Sequence, residues 1–264
     1  MSSPFLGWVL SILLLLVACE APLPEPPAVQ PHGTAALTAT RDKAVLIAGT
    51  GSLPVWDNAV EAVAARLRER GSVDIQRLSA AHAVVVHGGA RAATLNNVLD
   101  AIGSMKPGPG EGCFVFATSN GHPGGLTLSM TGEVLSPFDL DRALVRGCGG
   151  APTVIVISGC YTGVYARSPM NRANRVVLTA SRPDRTSFGC SPGRTYTAYD
   201  TCLLYGLDAG GTWSQAYVAI QHCVIAGELP FGLAASEPQA WLGPAVADMP
   251  LPVATRDDIR PDAR

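Results

Sequence analysis

Four short apolar runs constrain this chain more than any other feature: AVLIA at 44–48, CFVFA at 113–117, VIVIS at 154–158 and VVLTA at 176–180. Each is continuous rather than alternating, is too short for a buried helix, and gives way at once to loop residues. Strands covered on both faces read this way. Between the runs lie segments with helical spacing. Trp56, Val60, Val63, Ala64 and Leu67 fall three and four apart, so 54–70 is an expected amphipathic helix with Pro54 near its first turn. Further helices are expected at 92–104, from a Ser136–Pro137 cap to Val145, and at 199–207 and 213–226. Weaker strands are expected at 84–86 and 126–130. Strands that alternate with helices specify an α/β fold, a mostly parallel sheet with helices on both faces.

The composition fits such a buried sheet. Of 264 residues, 47% are hydrophobic and 15% charged, and 19 Lys plus Arg against 21 Asp plus Glu leave a net charge of -2. That excludes a disordered solvating chain and a basic nucleic-acid binder. Part of the hydrophobic total lies in one N-terminal run at 5–17, shorter than the roughly 20 residues of a spanning helix. It reads as the core of a signal peptide at 1–18. The run ends in Leu16, Val17, Ala18 and Cys19, which resembles the bacterial lipobox, although residues 1–4 carry no Lys or Arg. The resemblance implies a lipid on Cys19, hence anchorage to a bacterial membrane with the domain facing the periplasm or exterior. The alternative is an ordinary signal peptide in which Cys19 is incidental. Five prolines between Pro22 and Pro31 make 19–40 a stiff tether, and 248–264 reads as a flexible tail. The folded domain is then expected at 41–247.

Three strand ends carry residues that could do chemistry: Thr118 to His122, Ser158 to Gly163 and Ala180 to Arg185. In parallel sheets such ends face one crevice. Cys160, flanked by small residues, stands where a thiol could be exposed above the sheet. A histidine from a neighbouring strand end could hold its proton, and backbone N–H groups could face a developing oxyanion. A cysteine at a strand end is otherwise most often a small buried hydrophobe.

At these residues the sequence resembles the bacterial branch of the legumain-type cysteine peptidases. The matching stretches are VWDNA at 55–59, FATS at 116–119, SGCYTG at 158–163, ASRPDRTSFGC at 180–190 and SEPQ at 236–239. The resemblance implies a caspase-like three-layer sandwich with Cys160 as nucleophile, no cofactor, and a peptide or protein substrate cleaved after Asn or Asp. It implies oxyanion donors at Gly121 and Cys160, and substrate-binding groups at Ser181, Asp184 and Asp200. The chain departs from the family at one place. The family's His-Gly falls on Asn120 and Gly121, and the nearest imidazole is His122, followed by Pro123. Asparagine exchanges no proton near neutral pH. Either His122 serves as the base of a Cys160/His122 dyad, or the chain is a catalytically impaired member that binds peptides or envelope proteins.

The remaining histidines, His32, His82, His87 and His222, read as structural, and no metal-ligand spacing is present. Setting aside Cys19 and Cys160 leaves five cysteines, so at least one is unpaired or pairs outside the chain. Cys113 and Cys148 precede strands expected to be neighbours, and Cys202 and Cys223 lie on the two late helices. Both pairs are candidate disulfides.

Overall fold

A computed structural model of the chain describes residues 37–72, 74–231 and 234–251. The signal segment, Cys19, most of the tether and residues 252–264 lie outside the described residues.

The chain runs β1 (Arg41–Ala48), α1 (Val55–Glu69), β2 (Ile75–Ser79), α2 (His82–His87), β3 (Arg91–Ala92), α3 (Leu95–Gly103) and β4 (Glu111–Thr118). It continues through β5 (Gly121–His122), β6 (Gly125–Leu128), β7 (Glu133–Leu135), α4 (Pro137–Cys148), β8 (Thr153–Ser158) and β9 (Arg175–Thr179), and ends with α5 (Ala198–Ala209), α6 (Trp213–Glu228) and β10 (Gln239–Leu242). Seven strands form one sheet in the order β10-β9-β8-β4-β1-β2-β3, and β5, β6 and β7 form a small antiparallel sheet. Every pairing in the large sheet is parallel except that of β10 with β9.

The four apolar runs are its central strands, and successive side chains leave a strand on opposite faces. Leu46, Phe116, Val156 and Leu178 therefore meet α1, α5 and α6, while Val45, Val115, Ile155 and Val177 meet α3 and α4. This yields the three layers. Each such side chain, fully buried, contributes roughly 1.5–3 kcal/mol. Thr94, Ser136, Thr197 and Thr212 cap α3, α4, α5 and α6, each accepting a backbone N–H of the first turn. Disulfides join Cys113 to Cys148 and Cys202 to Cys223, tying β4 to α4 and α5 to α6.

Three expectations change. Residues 84–86 lie in α2, not in a strand: Val84 and Val85 donate their N–H groups to Ala81, and α2 buries none of its side chains. The strand of this region is β2, whose IQRLS sequence is too polar to announce itself. The half-buried edge strand β10 likewise carries no continuous apolar run. Finally, the first residues of the expected tail belong to the domain. Met249 and Leu251 are buried, Trp213 donates to the Met249 carbonyl, and Leu251 donates to Gly211. At the other end, Leu37 donates to the Ala245 carbonyl.

Candidate active site

β1 has β2 on one side and β4 on the other, so the direction of winding reverses between β1 and β4. Open parallel sheets bind ligands beyond the carboxyl ends of their strands at such a reversal. A shallow crevice opens beside it, lined by Trp56, Ser119, Asn120, Ser158, Gly159, Cys160, Ser187, Phe188, Cys190 and Thr197.

Cys160 stands on a braced elbow at the end of β8. The Gly159 carbonyl accepts from Thr162 Oγ1 at 2.9 Å and Ser181 Oγ at 3.1 Å. Ser181 Oγ accepts the Thr162 N–H at 3.2 Å, and Thr162 Oγ1 accepts the Ala180 N–H at 3.1 Å. These bonds lock the β8 end to the β9 end. Tyr161, directly after the cysteine, is held left-handed at φ 61° and ψ 11°, with its N–H donated to the Arg185 carbonyl at 2.8 Å. A non-glycine residue in that conformation costs on the order of 1–3 kcal/mol, so the surroundings impose it.

Cys160 Sγ accepts the Ser187 N–H at 3.3 Å. Burial pushes the thiol pKa up and the Ser187 N–H pulls it down. Nearby Cys190 pushes up, and the N–H groups of Gly121 and Cys160 pull down; the balance is a rise. The neutral thiol is therefore the resting species near pH 7. Gly121 and Cys160 are the residues expected from the sequence to supply oxyanion N–H groups, and the backbone of each lowers the thiol pKa here. Gly121 reaches this position only because it lacks a side chain, since a Cβ there would lie 1.7 Å from the Cys160 carbonyl oxygen.

The β4 end is fixed by a relay of hydroxyls. The Asn120 N–H donates to Thr50 Oγ1 at 3.3 Å, Thr50 Oγ1 and Ser119 Oγ share a bond of 2.7 Å, and Ser119 Oγ donates to the Thr127 carbonyl at 2.6 Å. The relay sets Asn120 on the crevice wall with Cys160. His122 is placed differently. It is exposed on the β5–β6 hairpin, outside the residues that line the crevice, and its Nδ1 accepts the Gly124 N–H at 3.0 Å. The tight turn through Pro123, Gly124 and Gly125 folds the ring onto its own backbone and occupies the nitrogen a base would use.

The three expected substrate contacts also separate. Ser181 is fully buried and braces the elbow instead of reaching the crevice. Asp200 is fully buried beneath the crevice, where Thr118 Oγ1 donates to its Oδ2 at 2.9 Å. Burial raises its pKa against the hydrogen bonds of Ser158, Thr197 and Thr118. Asp184 is exposed, and two hydrogen bonds of 2.7 Å from Arg182 hold its pKa down at about 2. Arg182 also meets Glu237 at 2.8 Å, so this carboxylate is already neutralised by neighbours. Sequence reasoning missed Phe188, Cys190 and Thr197 as crevice residues. Phe188 and Cys190 had a signal in the matching stretch at 180–190, but no periodicity there assigns a direction to any side chain, and Thr197 lies beyond it.

A caspase-like fold is the class these features define. The chain is similar in structure to the crystal structure of caspase-1 from Spodoptera frugiperda, with 12% identity, a TM-score of 0.54, and 83% of this chain and 93% of that chain covered. It is also similar to the structure of pro-Sf-caspase-1, with 13% identity, a TM-score of 0.54, and 76% and 90% covered. In sequence, residues 81–209 match the family model of the Peptidase C13 family, a span that includes Asn120, Cys160 and the loop after β9. The family match lies within the region that holds the crevice, and the structural likeness shows the caspase-like fold. No curated protein sequence matches the chain significantly.

Proposed function

We propose that this chain is an exported domain of the legumain-type cysteine peptidases, held at a bacterial cell envelope by a lipid on Cys19. It takes peptide or protein segments into the Cys160 crevice, and proton transfer limits its cleavage of them. One observation carries this reading: Sγ accepts the Ser187 N–H on the crevice wall beside Asn120, which stands where an imidazole was expected.

The chemistry follows from these groups. A peptide carbonyl carbon placed over Sγ is attacked by the thiolate, and the carbonyl oxygen, now negative, turns toward the N–H groups of Gly121 and Cys160. Collapse expels the amine, which needs a proton, and leaves a thioester that water hydrolyses. Asn120 can hold the substrate by hydrogen bonds but neither takes the thiol proton nor gives one to the amine. Loss of a positioned acid–base group costs about 10²–10⁴ in rate. Capture of peptides thus outlasts their turnover.

A second reading, a full Cys160/His122 dyad, is favoured by the glycines that flank the histidine, because Gly124 and Gly125 let the hairpin turn His122 inward. A peptide electrophile that alkylates thiols separates the readings. With the modified peptides mapped, we expect slow labelling at Cys160 in the native chain and an unchanged rate there in His122→Ala, and no peptide hydrolysis in Cys160→Ala. Labelling and peptide hydrolysis that both collapse in His122→Ala would establish the dyad instead. Peptide hydrolysis that survives Cys160→Ala would remove both readings.

A further inference from the structure

Cys190 shares the crevice with Cys160. These two are the free cysteines among the described residues, while the other four form two disulfides. A domain built with two disulfides belongs to an oxidising compartment. Two thiols that line one small crevice there are exposed to the same oxidants. We propose that Cys160 and Cys190 are a redox pair: oxidation joins them in a disulfide across the crevice, and reduction reopens it.

The placement of the two residues supports the bond. Ser187 touches Cys160 through its N–H, and Cys190 follows three residues later on the same loop. Cys190 is exposed, and among the described residues no hydrogen bond engages its backbone. The loop bonds nearest to it lie at Ser191, whose carbonyl accepts the Arg194 N–H at 3.4 Å within the same turn, and at Phe188, whose carbonyl accepts the Ala198 N–H. Gly189 and Gly193 flank this stretch at φ 96° and 84°. Cys190 therefore gives up no backbone hydrogen bond of its own in closing on Cys160, to the Cα separation of roughly 4.4–6.8 Å that a disulfide requires.

The oxidant is a small disulfide, RSSR. The exposed Cys190 loses its proton and its sulfur attacks RSSR, forming Cys190–S–SR and releasing RS⁻, which takes up the proton. Cys160 then loses its proton and attacks the Cys190 sulfur, the S–SR bond breaks, and a second RSH leaves. Two thiols are oxidised and one RSSR is reduced to two RSH. In the product Sγ has no lone thiolate to offer a carbonyl. That consequence rests on the nucleophile role proposed above; the bond itself does not.

The test uses the full-length chain equilibrated with mixtures of oxidised and reduced glutathione, alkylated with iodoacetamide, digested and mapped without reduction. The expected product is a peptide pair linked through Cys160 and Cys190, formed as the mixture becomes more oxidising and dissolved by dithiothreitol. Cys160 should lose its alkylation in step with the link, and keep it in Cys190→Ala at the same mixtures. Glutathione adducts without the link, links between the Cys190 residues of two chains, or equal loss of Cys160 alkylation in Cys190→Ala would overturn the proposal. A chain that forms the link but is never labelled by a peptide electrophile when reduced would remove the peptidase reading alone. Labelling without the link would remove the redox pair alone.

Discussion

The two strand ends that form the crevice are built to different standards. At the end of β8, four side-chain hydrogen bonds from Thr162 and Ser181 and a left-handed Tyr161 hold Cys160 in one place. At the end of β4, a hydroxyl relay fixes Asn120, but beyond it the hairpin turns His122 outward to bond its own turn. The Cys160 side is braced across two strands, whereas the histidine next to the β4 end is bonded only within its own turn. Acyl transfer needs both held at once, because a group contributes to proton transfer only from within hydrogen-bond reach. In the proposed chemistry, the braced end would position a carbonyl and the other end holds no imidazole within the crevice lining.

Five changes break or sharpen this contrast. The largest effect is expected from Asn120→His, which puts an imidazole on the crevice wall where Asn120 now stands. Electrophile labelling of Cys160 and peptide hydrolysis should rise by about 10²–10⁴. The pH at which labelling becomes fast should fall, because an adjacent imidazolium favours the thiolate that burial now opposes. Stopped assays across pH 5–10 would show no change in either if the β4 end were already complete.

Gly121→Ala should be next, because the Cβ clashes with the backbone of Cys160 itself. Overpacking of this kind costs about 1–3 kcal/mol. We expect a lower denaturation midpoint together with loss of labelling. Gly124→Ala meets nothing nearer than the His122 ring at 3.2 Å, and should leave labelling intact. Ser181→Ala removes one of the two hydroxyls on the Gly159 carbonyl and the acceptor of the Thr162 N–H. Leaving such a buried group unpaired costs about 1–3 kcal/mol. Chemical denaturation should report that loss, and labelling should slow because the elbow loosens.

The smallest effect concerns the carboxyl that lies beneath both ends. Asp200 meets Thr118 at the end of β4 and Ser158 at the end of β8, and its folded pKa is raised mainly by burial. A carboxyl with a raised folded pKa holds more protons folded than unfolded. Its contribution is thus fully present below the unfolded value, near 3.8, and declines as pH rises through the higher folded value. Asp200→Asn should flatten that decline, seen as a stability that changes less between pH 4 and 8. A steeper dependence in the variant would contradict the assignment.

Much of the fold was legible before any coordinates. The four apolar runs became the central strands because a strand covered on both faces must be apolar at every position, and that pattern survives in one dimension. The 54–70 helix, the Ser136–Pro137 cap and both disulfide pairings were readable for similar reasons, since spacing, capping chemistry and strand adjacency are local or follow from strand order. β2, β10 and α2 were not legible. Their residues are half-polar or unburied, so neighbours rather than periodicity decide their conformation.

The candidate site divides in the same way. The sequence by itself placed Cys160 at a strand end, and its resemblance to the legumain-type peptidases put Gly121 and Cys160 forward as oxyanion donors and marked Asn120 as the residue in the histidine's usual place. Only the tertiary structure decided that His122 bonds its own turn, that Ser181 and Asp200 lie beneath the crevice, and that Cys190 lies within it. The physical reason is that strand patterning fixes which residues reach the edge of a sheet. Which way a loop side chain then points depends on hydrogen bonds to residues tens of positions away, and no period in the sequence encodes them.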